Sequence, residues 1–167
     1  MNYVDLCTRR VYLQGPVTLA YTGMYKLVAK KFALIEWNRI RKLVQTYGLS
    51  YFMSVPGIKY RALRSMVTEG VLTERQFREV RRYNGCFLCL WVIEHSSGVE
   101  NMCRCCPLSS CAGNAGYVSK DSPYGILCTL TRMYHIFRGE IPLGMQKRMA
   151  RRSLMAVDEI ILAVKRW

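Results

Sequence analysis

The residues of this chain best suited to chemistry are cysteines concentrated in one short segment. Six of the eight cysteines lie within residues 86–111, with one C-x-x-C pair at Cys86 and Cys89 and a second at Cys103 and Cys106. A C-x-x-C turn places two sulfurs on the same side of a backbone bend, and two such pairs separated by a short loop are typical of a tetrahedral zinc site. We therefore predict that these four cysteines bind zinc.

Alternatives stay open at this predicted site. Cys111 is the rival for one ligand position, because the residues that follow Cys106 can fold back as a turn. An iron–sulfur cluster would also accept four cysteines. Four protein sulfurs leave no open position for water, so we expect the metal to be structural. Cys128 lies in a helical pattern and is expected in the core, where small thiols are common.

Sequence signatures of catalysis are missing. The chain contains no H-E-x-x-H, no G-x-S-x-G and no G-x-x-x-x-G-K-[ST] motif. With two histidines and few acidic residues, the chain has few of the side chains from which a metal-dependent nuclease builds its active site. We expect a protein that is not an enzyme, with a nuclease or an iron–sulfur redox protein as the less supported alternatives.

The charge of the chain indicates a polyanionic partner. The formal net charge is +14, and 17 of the 25 basic residues are arginine. The planar guanidinium suits phosphate, carboxylate and base edges, and solubility alone gives no reason to prefer it to lysine. Nucleic acid, or an acidic protein complex, is therefore the expected partner.

The N-terminal region gives no indication of a membrane protein. The longest stretch without charge there, residues 11–25, is too short to span a bilayer and lacks the apolar run and cleavage site of a signal peptide. We expect a cytoplasmic protein without a membrane partner, whose cysteines are thiols or metal ligands rather than disulfides.

Residues 16–83 read as a helical N-terminal part. One long helix, or two helices with a bend between them, is predicted over residues 16–47, with Gly48 as the C-terminal stop. Its apolar stripe consists of Ala33, Trp37, Ile40, Val44 and Tyr47. Pro56 and Gly57 predict a break, followed by a helix over about 58–68. The core positions of that helix are Ile58, Ala62, Leu63, Met66 and Val67.

A third helix is predicted to begin at a capping box formed by Thr73 and Gln76. Phe77 and Val80 share one side of it. Most of the remaining surface is basic, with Arg75, Arg78, Arg81 and Arg82. With the preceding helix it has the form of a helix-turn-helix, although a plain helical hairpin with a solvated basic face explains the pattern more simply.

Residues 122–167 read as a C-terminal helical hairpin. Ser122 and a following proline are typical of a helix start, and this helix is expected to run to about residue 137. Its inward positions are Leu127, Leu130, Tyr134 and Phe137. The last helix begins at Pro142, and its apolar seam consists of Ala150, Leu154, Val157, Ile161 and Val164. Lys147, Arg148, Arg151 and Arg152 lie off that seam.

These patterns predict one mainly α-helical domain over residues 1–167. It comprises the helical part 16–83, a cysteine-rich metal-binding insert 84–121 that forms a zinc-bound knuckle, and the hairpin 122–167. Strands are expected to be few, with a short hairpin at residues 90–93 as one candidate.

About half of the chain, residues 80–165, resembles a group of small cysteine-rich proteins encoded by tailed bacteriophages. The resemblance rests on the two C-x-x-C pairs, the proline and leucine after Cys106, then Cys111, the Ser-Pro-Tyr at Ser122, and a basic amphipathic last helix. It implies a phage origin, a zinc knuckle and action on host machinery. Cys105 and the long loop after Cys111 depart from the group's pattern.

The function we expect is a zinc-stabilised, basic nucleic-acid-binding protein without catalysis. Phosphate contacts would come from Arg75, Arg78, Arg81, Arg82, Lys147, Arg148, Arg151 and Arg152. Tyr83, Tyr117 and Tyr124 are candidates for stacking on unpaired bases. The alternative is an inhibitor or modulator that docks on an acidic host protein such as polymerase, ribosome or a defence complex.

Overall fold

The computed structural model describes residues 3–5, 10–12, 26–48, 55–82, 87, 88, 91, 108, 121–137 and 139–167. For the strands, and for Pro56 and Arg82, only the backbone is described. The described elements are β1 (Tyr3–Asp5), β2 (Arg10–Tyr12), α1 (Lys26–Tyr47), α2 (Val55–Thr68), α3 (Glu74–Arg82), α4 (Pro123–Ile136) and α5 (Leu143–Arg166). The two strands pair antiparallel. The prediction of a mainly helical protein is confirmed for these residues.

The first helix carries the central apolar stripe of the core. Ala29, Ala33, Trp37, Ile40 and Val44 are buried along α1, while residues 16–25 of the predicted helix lie outside the described residues. The helix ends where predicted, at Gly48, which has a φ of 69° and donates its N–H to the Val44 carbonyl at 2.9 Å.

Tyr47 was predicted in this stripe, and that prediction is wrong because the side chain is 52% exposed. Helical periodicity identifies a face of a helix, but it does not say how far along that face the neighbouring elements extend. Tyr47 lies in the last turn of α1, beyond its buried length.

The first and last helices pack against each other in antiparallel orientation. Near the start of α1, Lys30 Nζ donates to the carbonyl of Lys165 near the end of α5, at 2.6 Å. Further along α1, Arg41 Nε donates to Asp158 Oδ1 at 2.6 Å. Helix α4 packs on α5, and α2 packs on α1, so that these four helices enclose one apolar core.

The second helix begins earlier than predicted. Pro56 and Gly57, predicted as a break, lie inside the first turn of α2, which starts at Val55. Proline is tolerated there because the N–H groups of a first helical turn have no partner within the helix. The predicted core positions are confirmed: Ile58, Ala62, Leu63 and Met66 are buried, and Val67 is partly buried.

The third helix begins at the predicted capping box. Gln76 N donates to Thr73 Oγ1 at 3.2 Å, and Thr73 N donates to Gln76 Oε1 at 2.9 Å. Phe77 and Val80 are buried, as predicted. The turn from α2 passes through Gly70, whose φ of 72° is a conformation that residues with a Cβ rarely adopt.

The fourth helix starts as predicted and ends one residue early. Ser122 Oγ accepts from Gly125 N at 2.9 Å, and Leu127, Leu130 and Tyr134 are buried. Phe137 was predicted to face inward, but it is 46% exposed. Because the helix ends at Ile136, Phe137 adopts a non-helical conformation and leaves the stripe.

The buried face of the last helix is rotated slightly from the predicted seam. Val157, Ile161 and Val164 are buried as predicted, whereas Ala150 and Leu154 are only partly buried. The other residues that this helix buries are Met149, Ser153, Ala156 and Ile160. Serine is tolerated in the core because its hydroxyl donates to the Ala150 carbonyl, at 2.7 Å.

A charged pair is buried where α1 meets α2. Lys59 Nζ lies 3.8 Å from Glu36 Oε1, and the two side chains are 1% and 0% exposed. The same ammonium lies 6.0 Å from the centroid of the Trp37 ring. Because burying one charge alone is costly, the pairing explains how both residues are accommodated in the core.

The structure bears on two further expectations, the candidate hairpin at residues 90–93 and the absence of a membrane-spanning segment. In the stretch 90–93, where a hairpin was a candidate, Trp91 is the described residue and it is helical. Among the described residues, no helix is long and apolar enough to cross a membrane.

Candidate nucleic-acid interface

The predicted metal ligands lie outside the described residues. This applies to Cys86, Cys89, Cys103 and Cys106, and to the rival ligand Cys111. In the described part of the chain, no group of three or more His, Cys, Asp or Glu residues is placed to hold a metal ion. Zinc, the iron–sulfur alternative and the segment boundaries at 84 and 121 therefore stay predictions. Cys128, which is described, is a half-buried cysteine packed against the core.

Apolar residues of the cysteine-rich segment belong to the helical core. Phe87 and Leu88, which lie between Cys86 and Cys89 in sequence, are buried, and so is Leu108. The Phe87 ring stacks on Phe32 of α1, with centroids 5.1 Å apart and an interplanar angle of 21°. The described residues Phe87, Leu88 and Leu108 of this segment thus pack with the helices.

A second aromatic contact joins this segment to the end of the chain. The rings of Trp91 and Trp167 meet edge to face, with centroids 4.9 Å apart. Lys26 Nζ, at the start of α1, lies 4.9 Å from the Trp167 ring centroid. An edge-to-face tryptophan pair of this kind stabilises by about 1 kcal/mol beyond the area that it buries.

The predicted nucleic-acid contacts form two exposed basic faces. The α3 basic face consists of Arg75, Arg78 and Arg81, which follow one another at three-residue steps and are all exposed. The side chain of Arg82, predicted with them, lies outside the described part. The α5 basic face consists of Lys147, Arg148, Arg151 and Arg152, all exposed, and residues 143–157 contain no acidic residue.

Three of the described carboxylates are paired with arginines that lie outside the two basic faces. Arg39 donates to Glu69 through two nitrogens, one of them at 2.6 Å, and Arg41 donates to Asp158. Arg64 donates to Glu74, which stands in the first turn of α3. The Glu69 carboxylate raises the pKa of Arg39, chiefly through its hydrogen bond. The Asp158 carboxylate raises the pKa of Arg41 in the same way.

The two basic faces lack such neutralisation. Within the described residues, no hydrogen bond or ion pair involves the side chains of Arg75, Arg78, Lys147, Arg148, Arg151 or Arg152. Arg81 makes no ion pair there either, and its guanidinium lies over aromatic rings instead. The positive charge on both faces therefore remains available to an anionic partner.

Of the three tyrosines predicted to stack on bases, Tyr124 is the one that the structure describes. Tyr124 is 2% exposed and meets Trp37 edge to face in the core, so its prediction as a base-stacking residue is wrong. Tyr83 and Tyr117 lie outside the described residues. The exposed tyrosine beside the α3 basic face is Tyr60 of α2, which the sequence analysis missed. The one sequence feature that indicates its position is its spacing of four residues from Arg64, which places the two side chains next to each other on a helix surface.

Comparison with protein-family models, with curated proteins and with solved structures found no match to this chain. The functional interpretation therefore rests on the residues themselves and on their geometry.

The pairing of Arg39 with Glu69 predicts a specific pH dependence of stability. The hydrogen bond from Arg39 lowers the pKa of Glu69 below its ordinary value. A carboxyl whose pKa is lower in the folded state stabilises the fold above its ordinary pKa and loses that contribution as pH falls through the folded pKa. Glu69→Gln should therefore lower stability at neutral pH and flatten its loss between neutral and strongly acidic pH.

Denaturant unfolding at a series of pH values checks this. Arg39→Gln should flatten the acid limb in the same way, and the double variant should add little, because both substitutions remove one interaction. An acid limb unchanged in either single variant would contradict the assignment.

Proposed function

We propose that this protein binds nucleic acid through the α3 and α5 basic faces, without catalysis. The observation that carries the proposal is the distribution of charge. Four of the described carboxylates pair with Arg39, Arg41, Arg64 and Lys59, while the seven exposed basic residues of the two faces have no ion pair among the described residues. Clustered like charges raise the energy of the folded protein, and a polyanion that releases its counterions on binding offsets that cost.

The chemistry of these side chains favours phosphate. Three of the four residues on the α5 basic face, and all three on the α3 basic face, are arginine, whose planar guanidinium donates two parallel hydrogen bonds to phosphate oxygens. Contacts of this kind position a protein on nucleic acid without reading its sequence. The proposal is accordingly one of binding dominated by the phosphate backbone.

A structural zinc ion completes the proposal. Cys86, Cys89, Cys103 and Cys106, with Cys111 as the rival, would hold it as thiolates, and a closed four-sulfur site supplies folding energy rather than reactivity. The support is that Phe87, Leu88 and Leu108, three buried core residues, lie within the segment that carries these cysteines. Metal binding would thereby stabilise the core as well as the segment itself.

The resemblance to phage proteins adds to the proposal the place where the protein would act. A phage-encoded protein of this kind would act in the cytoplasm of the infected host, on nucleic acid or on a complex that contains it. The resemblance rests on cysteine spacing over about half of the chain, so the choice of host target stays part of the proposal.

A second candidate function, docking on an acidic host protein, is favoured by one observation. Large apolar side chains are exposed where α4 ends and α5 begins, close in sequence to the α5 basic face. They are Met133, Ile136, Phe137, Leu143 and Met145. Apolar anchors beside charge are typical of protein interfaces. Recovery of one defined acidic protein that survives nuclease treatment, and is lost in Leu143→Ser, would favour this candidate.

Charge neutralisation tests the nucleic-acid proposal. In the quadruple variant, Lys147, Arg148, Arg151 and Arg152 are each replaced by glutamine. Each lost phosphate contact lowers the slope of log affinity against log salt by about 0.7 for a single strand or about 0.9 for a duplex. We expect the slope to fall by roughly 3 and the affinity at moderate salt to fall at least about tenfold. Fluorescence anisotropy with labelled oligonucleotides measures both.

The matched control has the same net charge but leaves both faces intact. It replaces Lys31, Lys42, Lys165 and Arg166 with glutamine, four exposed residues outside the proposed interface. It should keep most of the wild-type affinity and slope. A control that weakens binding as much as the α5 variant would show that only total charge matters, and wild-type binding that does not change with salt would contradict the proposal.

Metal removal tests the zinc part. Cys86→Ser and Cys106→Ser should each lower the free energy of unfolding by several kcal/mol, because structural zinc contributes directly to folding. Cys128→Ser is the matched control, since this half-buried thiol lies outside the predicted ligand set, and it should leave zinc content unchanged. Thermal unfolding with and without chelator, together with metal content, measures the effect. Wild-type stability in both ligand variants would contradict the site, and iron in a coloured protein would favour the cluster.

A further inference from the structure

The α2–α3 surface carries an ordered array of two rings and two guanidinium groups. Tyr60 is 41% exposed, and the Arg81 Cζ atom lies 5.2 Å from its ring centroid. The buried ring of Phe77 meets Tyr60 edge to face, with centroids 5.8 Å apart. Arg64 lies over the Phe77 ring, with its Cζ atom 4.4 Å from the centroid. We call Tyr60 and Arg81, with Phe77 beneath them, the stacking platform.

The platform is held in place before any ligand arrives. Arg64 Nε donates to the Tyr60 hydroxyl at 3.4 Å, and the Arg64 guanidinium is fixed in turn by its ion pair with Glu74. Phe77 anchors the array from below, because it is fully packed in the core. A tyrosine whose orientation is fixed in this way loses little conformational entropy when a planar ligand stacks on it.

Flat, exposed rings and guanidinium planes are the groups on which unpaired bases stack. Stacked bases of an intact duplex do not present their faces to a protein. Groups suited to binding phosphate lie next to the platform. Arg78 and Arg75 precede Arg81 at three-residue steps along α3, and they have no ion pair among the described residues. One surface thus offers a place for a base beside a row of contacts for the adjoining backbone.

We infer that the stacking platform binds an unpaired nucleobase, so that the ligand of the α3 basic face is single-stranded nucleic acid. This inference rests on the proposed function and narrows it. The base stacks on Tyr60 and Arg81, while Arg78 and Arg75 contact the phosphates on one side of it. RNA and single-stranded DNA share this chemistry, since stacking uses the base and not the sugar.

The test compares single-stranded and duplex probes on the full chain. The probes are fluorescein-labelled oligouridine, labelled oligothymidine and the duplex of oligothymidine with oligoadenosine. Tyr60→Leu should weaken single-strand binding about tenfold or more, since base–aromatic stacking contributes about 1–3 kcal/mol per base. Duplex affinity and the salt slope should stay unchanged, because no charge is removed. Equal losses for the two single strands show that the sugar is not read.

Two further variants separate stacking from a structural role. Tyr60→Phe keeps the ring and loses the hydroxyl contact with Arg64, so it should restore most of the single-strand affinity. Tyr47→Leu is the matched control, because it removes an exposed tyrosine of α1 that lies outside both basic faces. It should bind like the wild type. Ultraviolet cross-linking of bromouracil-substituted oligonucleotide should label the peptide that contains Tyr60 in the wild-type protein.

The outcomes distinguish this inference from the proposed function. If the wild type binds both kinds of probe and Tyr60→Leu binds them equally well, the platform is refuted and the proposed function stands. If Tyr60→Leu loses duplex and single-strand affinity alike, the tyrosine acts by supporting α3, and the inference is also refuted. A wild-type protein that binds no probe overturns both.

Discussion

The burial of one stripe of α1 is the interaction on which the rest of the structure depends. Trp37, at its centre, has no exposed surface and contacts Tyr124 of α4 and the Lys59 ammonium of α2. Helix α5 lies antiparallel along α1, and Phe32 of α1 also receives Phe87 from the cysteine-rich segment. Helix α1 therefore holds α2 and α5 directly, and α3 is held in turn by its packing on α2. The two basic faces lie on the exposed sides of α3 and α5.

The shortage of carboxylates then decides what those outer sides can do. The chain has 11 acidic residues for 25 basic ones. In the described part, Glu36, Glu69, Glu74 and Asp158 are engaged in holding helices together through ion pairs. Of the described arginines outside these ion pairs, most lie on α3 and in the first half of α5, where their like charges repel one another. Structure and proposed function thus follow from the same charge imbalance, with the predicted zinc as an additional constraint on the core.

Sequence reasoning succeeded where a local interaction decides the outcome. The caps at Thr73 and Ser122 and the stop at Gly48 could be predicted because each involves residues within a few positions of one another. It failed where residues distant in sequence decide burial. Tyr47 and Phe137 continue the apolar stripes of their helices, but they lie beyond the part that other elements cover and are exposed. Tyr124 was predicted at the surface and is buried against Trp37.

The candidate interface shows the same division. The arginines of α3 and α5 could be predicted as exposed from helical periodicity, since they lie off the apolar stripes. Their lack of carboxylate partners could not be predicted, because ion pairs such as Arg41 with Asp158 join residues far apart in sequence.

The most direct test of the central claim is to purify the full chain at low salt without nuclease and record its ultraviolet spectrum before and after a high-salt wash. We expect nucleic-acid absorbance that the wash removes; a spectrum of protein alone at both stages would contradict nucleic-acid binding.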